Sequence, residues 1–235
     1  MKKFVYNLIF PISFLAVLLW SVIGVSMDRG FYARQYADNA THEKIGIAYD
    51  DLMQVTDNLL DYMVCRRDDL EMQYEVKGEM REIFGKREKI HMIDVRRLYM
   101  GAVCTAAALA VLSIAGAIWL VRSDGGVKAR EIMRKKYKNT MIGLVVVIAA
   151  LGVIFFVDFD TFWRTFHKIF FTNELWILDP RESIMINMFP LEFFLAMCVR
   201  IVCVFVFVCI CVIDSLIWEK PYQAANRLKN KFSRG

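Results

Sequence analysis

Residues 98–157 read LYMGAVCTAAALAVLSIAGAIWLV (98–121), RSDGGVKAREIMRKKYKNT (122–140) and MIGLVVVIAALGVIFFV (141–157). Two apolar blocks flank a short basic segment. A bilayer core of about 30 Å needs about 20 apolar residues of helix to cross it. The first block meets that length, and the second does so with Asn139 and Thr140 at its end. The basic segment carries Arg122, Lys128, Arg130, Arg134, Lys135, Lys136 and Lys138. Such a cluster marks the cytoplasmic side of a short loop.

Two more apolar blocks extend this reading outward, Phe4–Met27 and Leu191–Trp218. Phe4–Met27 is longer than the apolar core of a secretion signal and no small-x-small cleavage site follows it, so it reads as an uncleaved signal anchor. Four crossings put the N-terminal Lys2 and Lys3, the 122–138 segment and the tail cations Lys220, Arg227, Lys229, Lys231 and Arg234 on one side. Both termini are therefore expected in the cytoplasm. The fold class is an α-helical integral membrane protein with a small α+β extracytoplasmic domain between the first and second spans. The expected layout is span 4–27, external domain 28–97, span 98–121, basic cytoplasmic loop 122–138, span 139–157, external interfacial segment 158–190, span 191–218 and cytoplasmic tail 219–235.

The composition agrees. Of 235 residues, 57% are hydrophobic, above the 45–50% or so of soluble domains. Five of the six cysteines lie in apolar blocks and only Cys65 in a polar one, so no disulfide framework is expected. No phosphate loop, Cys-x-x-Cys pair or His-Glu-x-x-His motif occurs. Neither a cofactor nor a nucleic-acid partner is expected.

The segment 28–97 is too long for a plain connector. Leu52, Val55, Leu59, Tyr62 and Met63 recur at helical spacing, predicting a helix over 46–65. Leu70, Met72, Tyr74 and Val76 alternate with polar residues before Gly78, predicting a hairpin over 70–84. After Gly85 a helical pattern runs without a break into the second span. In 158–190, Phe159, Phe162, Trp163, Phe166, Phe170, Phe171 and Trp176 sit among charges, a mixture suited to the headgroup layer.

All three histidines, His42, His91 and His167, fall in external segments. His91 and His167 each lie near a span boundary, so both can face one cavity at the outer leaflet. Histidine titrates near neutrality and serves as general acid or base. Glu88 and Asp94 lie three residues to either side of His91 and can share its helix face. Each histidine alone reads as a surface or hydrogen-bonded side chain; two at matching depth favour chemistry. A zinc site of both histidines with Glu88 or Asp94 matches no known ligand spacing, and no Gly-x-Ser-x-Gly elbow offers a serine nucleophile. Arg200 lies within the fourth span, where a charge marks either a buried pair or a functional role.

Two stretches carry a resemblance. Glu88-Lys89-Ile90-His91-Met92-Ile93-Asp94-Val95 resembles a Glu-x-x-His-Met-x-Asp-Val motif. His167-Lys168-Ile169-Phe170-Phe171, then Trp176-Ile177-Leu178-Asp179-Pro180 and Phe189-Pro190, resemble a second. Together, and in this order, they resemble the bacterial lipoprotein intramolecular transacylase family (Lit). Topology and segment lengths agree, so the likeness covers essentially the whole chain. One departure is visible: family members often carry an acidic residue a few positions after Asp-Pro, and this chain reads Arg181-Glu182-Ser183.

The resemblance implies an enzyme, an acyltransferase of the plasma membrane. Its partners would be the bilayer and lipoproteins whose N-terminal cysteine bears a diacylglyceryl group and a free amine. The sn-2 acyl chain would move from glycerol oxygen to that amine, giving the lyso-form. His91 and His167 match the family's two functional histidines; Glu88, Asp94, Trp176, Asp179 and Arg200 would bind substrate or support the site, with no metal. Ester-to-amide transfer runs downhill and needs no nucleotide. The amine, of ordinary pKa about 8, needs a base, and His167 is the favoured one. Two other readings stand beside this: a receptor or assembly protein using the external domain, and a transporter, for which four spans are few.

Overall fold

A computed structural model describes residues 1–217, with side chains through Cys211. The expected tail 219–235, with its basic residues, the end of the fourth span at Trp218 and the side chain of Asp214 lie outside the described residues. Among the described residues four helices are long and apolar enough to cross a membrane: α1 (Lys2–Ser26), α5 (Lys86–Asp124), α6 (Gly126–Val157) and α9 (Leu191–Ile217).

The bundle runs up-down-up-down, and α1 is the helix on which the others pack. Its face of Tyr6, Ile9, Phe10 and Phe14 meets Leu120 of α5, Met133 and Tyr137 of α6, and Phe205 and Cys209 of α9. Polar groups pin this packing at three depths. At one end Lys2 Nζ and Tyr6 Oη both donate to Asp124, at 2.7 and 3.0 Å. Within the bundle Tyr137 Oη donates to the Cys209 carbonyl, an outlet a buried phenol needs. At the far end Arg200 of α9 pairs with Asp28 just beyond α1.

Only Gly125 separates α5 from α6, at φ +79°. The basic run expected as a loop is therefore helical from Gly126. Ala129, Met133 and Tyr137, four residues apart, are buried against the bundle and hold these turns helical, while Lys128, Arg130, Arg134, Lys135 and Lys138 stay exposed.

The segment between α1 and α5 folds as α2 (Arg29–Asp38), α3 (Thr41–Ile45), α4 (Tyr49–Met63), β1 (Gln73–Val76) and β2 (Glu79–Glu82). The strands pair antiparallel through Lys77 and Gly78, at φ +54° and +84°. Positive φ at both central residues is the two-residue hairpin geometry that suits strand twist. Helices α2 and α3 have no apolar periodicity that the sequence could show. They form around buried aromatics, Phe31, Tyr32 and Tyr36, which join Leu52, Val55, Phe84 and Phe193 in a second core. That core packs this small domain against the adjoining turns of α5 and α9.

Asp28 ends the first span and caps α2, accepting from the amides of Gly30 and Phe31 at 2.9 and 3.3 Å. The same carboxylate holds Arg200, whose guanidinium also lies 5.4 Å above the Phe31 ring. Asp28→Ala removes the cap and leaves a cation in an apolar helix. Stability in detergent should fall by about 2 kcal/mol, discounted because both groups are partly exposed. Adding Arg200→Met should recover part of the lost Tm; an unchanged Tm in Asp28→Ala would count against this pairing.

Helix α5 is 39 residues long, about 58 Å at 1.5 Å per residue. It overshoots the hydrocarbon at its N-terminal end by several turns. Those turns carry Glu88, His91 and Asp94.

Candidate active site

Three elements meet above the bundle. The first is the start of α5. The second is α7 (Phe159–Phe170), begun by Asp158, whose carboxylate caps the Thr161 amide at 3.0 Å. The third is the irregular stretch 171–183 that leads to α8 (Ile184–Met188). α7 carries its aromatics and His167 at three- and four-residue spacing, so one face is apolar.

His91 from α5 and His167 from α7 come together, their ring centroids 6.2 Å apart and their planes 34° apart. They are only 7% and 5% exposed. Phe171 touches both, at 5.1 and 5.5 Å. Trp163 and Trp176 flank His167 at 4.3 and 4.6 Å, and Trp176 is stacked on it at 29°. The pair sits in an aromatic chamber.

His167 Nδ1 lies 2.8 Å from the Trp163 carbonyl, one helical turn back. A carbonyl can only accept, so Nδ1 carries the hydrogen. The neutral ring then has its lone pair on Nε2. No such constraint acts on His91, whose Nδ1 is buried without a hydrogen-bond partner.

Both rings favour the neutral state. Burial, then the nearby His167, pushes His91 down to about 4, against the opposing pull of Asp94. Burial also lowers His167, against the stabilising Trp163 carbonyl. An imidazolium is poorly solvated here, and at neutral pH both are unprotonated and able to take up a proton.

The other expected site residues are placed variously. Trp176 is at the pair. Asp94 is nearby but bonds Asn173 Nδ2 at 2.9 Å and lies 3.5 Å from Arg97. Glu88, expected on the His91 face, is buried and turned elsewhere: it accepts from the Gly85 and Met185 amides and the Ser183 hydroxyl. Asp179 closes a local turn, holding the Arg181 side chain at 2.6 Å and the Arg181 amide at 2.9 Å. Arg200 contacts Asp28 and Phe31 rather than either histidine. Among the described residues no group of three or more His, Cys, Asp or Glu side chains could hold a metal. His42 packs on Tyr49 in the small domain.

Four residues of the chamber or its frame lie outside the site that the sequence predicts: Trp163, Phe171, Asn173 and Ser183. Trp163 is one of the aromatics of the expected interfacial segment and stands four residues before His167. Asn173 and Ser183 lie in irregular backbone, where no periodicity reports which way a side chain points.

Fold and site together define a multi-pass membrane protein with a buried, uncharged histidine pair where its bundle meets a small α+β domain. The chain belongs to the lipoprotein intramolecular transacylase family, Lit, whose model matches residues 7–194. It is therefore an acyltransferase of the membrane. Its fold is similar to that of the solved membrane integral lipoprotein intramolecular transacylase Lit from Bacillus cereus. The two are 17% identical, with a TM-score of 0.74 over 92% of this chain and 96% of that one. Solved structures of two variants of that protein, with a histidine replaced by alanine or by arginine, match at TM-scores of 0.70 and 0.69. Their identities are 16% and 17%, over 92% of this chain and 94% and 92% of theirs. No curated protein matches the chain.

Proposed function

We propose that this enzyme moves the sn-2 acyl chain of a diacylglyceryl-cysteine lipoprotein onto the amine of the same cysteine, with His167 as general base and acid. The observation that carries this is the Trp163 carbonyl on His167 Nδ1. It reserves a lone pair on Nε2 in a ring that burial keeps neutral.

The amine nitrogen attacks the ester carbonyl while Nε2 takes its proton. The tetrahedral intermediate collapses, the carbon–oxygen bond breaks, and the same proton passes to the glycerol oxygen. The product is an amide and a lyso-glyceride, with no water or cofactor consumed. Amine and ester are held in one molecule, which gives a high effective concentration. His91, the other histidine of the pair, would donate to the oxyanion or orient the ester. Asp94 would act on His91 through its charge and hold Asn173.

The same reading puts both termini in the cytoplasm and the chamber at the outer leaflet. The cations of α6 and the N-terminus support it by the positive-inside rule. The region 28–97 would then be extracytoplasmic, beside the headgroups where a lipid anchor presents ester and amine together.

The test is mass spectrometry of lipoprotein N-termini from cells with and without the gene. Lyso-form N-acyl-cysteine termini should appear only with it. Diacylglyceryl termini in both would refute the reading. The pH profile is a second test. Because burial lowers both histidines from their ordinary range, His91 to about 4, neither is expected to impose a bend at 6–7. The rate should instead climb with pH as the substrate amine loses its proton, up to about 8. A bend at 6–7 that vanishes in His167→Ala would contradict the neutral pair.

A further inference from the structure

Between Phe171 and Ser183 the backbone is neither helix nor strand, so its shape depends on what it is tied to. Three ties run to α5. Arg87 donates to the Glu174 carbonyl. Asn173 Nδ2 donates to Asp94 Oδ2 at 2.9 Å. Glu88 Oε1 accepts from Ser183 Oγ at 2.5 Å and from the Met185 amide at 3.2 Å. Arg87, Glu88 and Asp94 bracket His91 on either side, so the segment is strapped over the turn that carries it.

The third tie is the most buried. Glu88 is 5% exposed and Ser183 7%. The other oxygen of Glu88 accepts from the Gly85 amide at 2.5 Å, which seats the carboxylate at the start of α5. Ser183 Oγ in turn accepts from the Ile186 amide at 3.2 Å, capping α8. One buried carboxylate therefore joins two helix starts. A carboxylate sunk this far is tolerated because hydrogen bonds replace its water.

Trp176 sits mid-strap. Its Nε1 donates to the Asn173 carbonyl at 3.0 Å, and its ring covers one face of His167. The strap thus joins residues on α5 to the ring on α7. We infer that Ser183 and Glu88 are positioning residues that hold Trp176 against His167 by fastening this strap to α5. This rests on the proposed role of His167 and adds to it. Glu88 serves the pair through Ser183 rather than by touching His91. Loosening the strap lets the indole drift from the imidazole, and displacements of about 1 Å at such sites can cost up to a hundredfold in rate.

The test uses the full-length enzyme in nanodiscs, a synthetic diacylglyceryl lipopeptide with a free N-terminal amine, and initial rates of lyso-form production by mass spectrometry. Ser183→Ala should lower the rate by about tenfold. Ser183→Thr, which keeps the hydroxyl, should restore it to within about twofold of wild type. Ser183→Ala added to Trp176→Leu should cause no further loss, because both remove the same indole contact. A merely structural role for Ser183 would give losses that multiply, and that result overturns the inference. Full activity in Ser183→Ala overturns it as well. Should Ser183→Ala fail to accumulate in membranes, the same cycle with Asn173→Ala, at the second tie, decides between the two outcomes by the same criterion. A wild-type enzyme that leaves the lipopeptide unchanged refutes the proposed reaction instead, so the two failures are distinct.

Discussion

His167→Ala should lower the initial rate of lyso-form production by about 10²–10⁴, the range that a positioned general acid–base supplies. The proposed reaction needs one proton moved from the amine to the glycerol oxygen, and no other neutral base among the described residues is held like this one. His167 Nδ1 is committed to the Trp163 carbonyl at 2.8 Å, which leaves Nε2 as the acceptor. His167→Gln should not rescue the rate, because an amide fills the space and donates but cannot take up a proton near neutrality. Raising the pH should recover part of the loss in His167→Ala, since a deprotonated amine attacks without help. Retention of full rate in both variants would remove His167 from the mechanism.

His91→Ala should cost about 10²–10³, the loss seen on removing one donor to a developing oxyanion. His91 is 7% exposed and its ring is held neutral by burial and by the neighbouring His167. A neutral ring still has one N–H to give, and Nδ1 has no partner of its own. His91→Asn keeps a donor and should retain more activity than His91→Ala, the opposite of the pattern expected at His167. Equal losses in His91→Asn and His91→Ala would instead make His91 a second base. Protonation is also coupled to stability. His91 is depressed from an ordinary 6.5 to about 4, so the unfolded chain binds its proton first. The stability linked to this ring is complete above about pH 6.5 and is lost as the pH falls toward 4.

Much of this was legible in order. Apolar blocks of sufficient length predict the spans wherever they occur, because each helix satisfies its own backbone bonds within the bilayer. The alternation at Leu70–Val76 and the turn at Gly78 predict the hairpin, and the unbroken pattern after Gly85 predicts that α5 continues from the small domain into the bundle. Helices α2 and α3 were not visible, since aromatic packing rather than periodicity stabilises them. The basic segment reads as a loop because its cations mask the stripe of Ala129, Met133 and Tyr137 that keeps it helical.

Four apolar spans, the long α5 and two histidines near span boundaries can be read from the residue order alone. These follow from composition, length and local period. Which side chains meet depends on the packing of distant segments. Glu88 and Asp94 lie three residues to either side of His91, yet they bond Ser183 and Asn173, 95 and 79 positions away. Arg200 is joined to Asp28 across 172 positions. Local period says which way a side chain leaves its helix, but a buried charge bonds whichever donor packing brings within reach, and that depends on how distant segments cross.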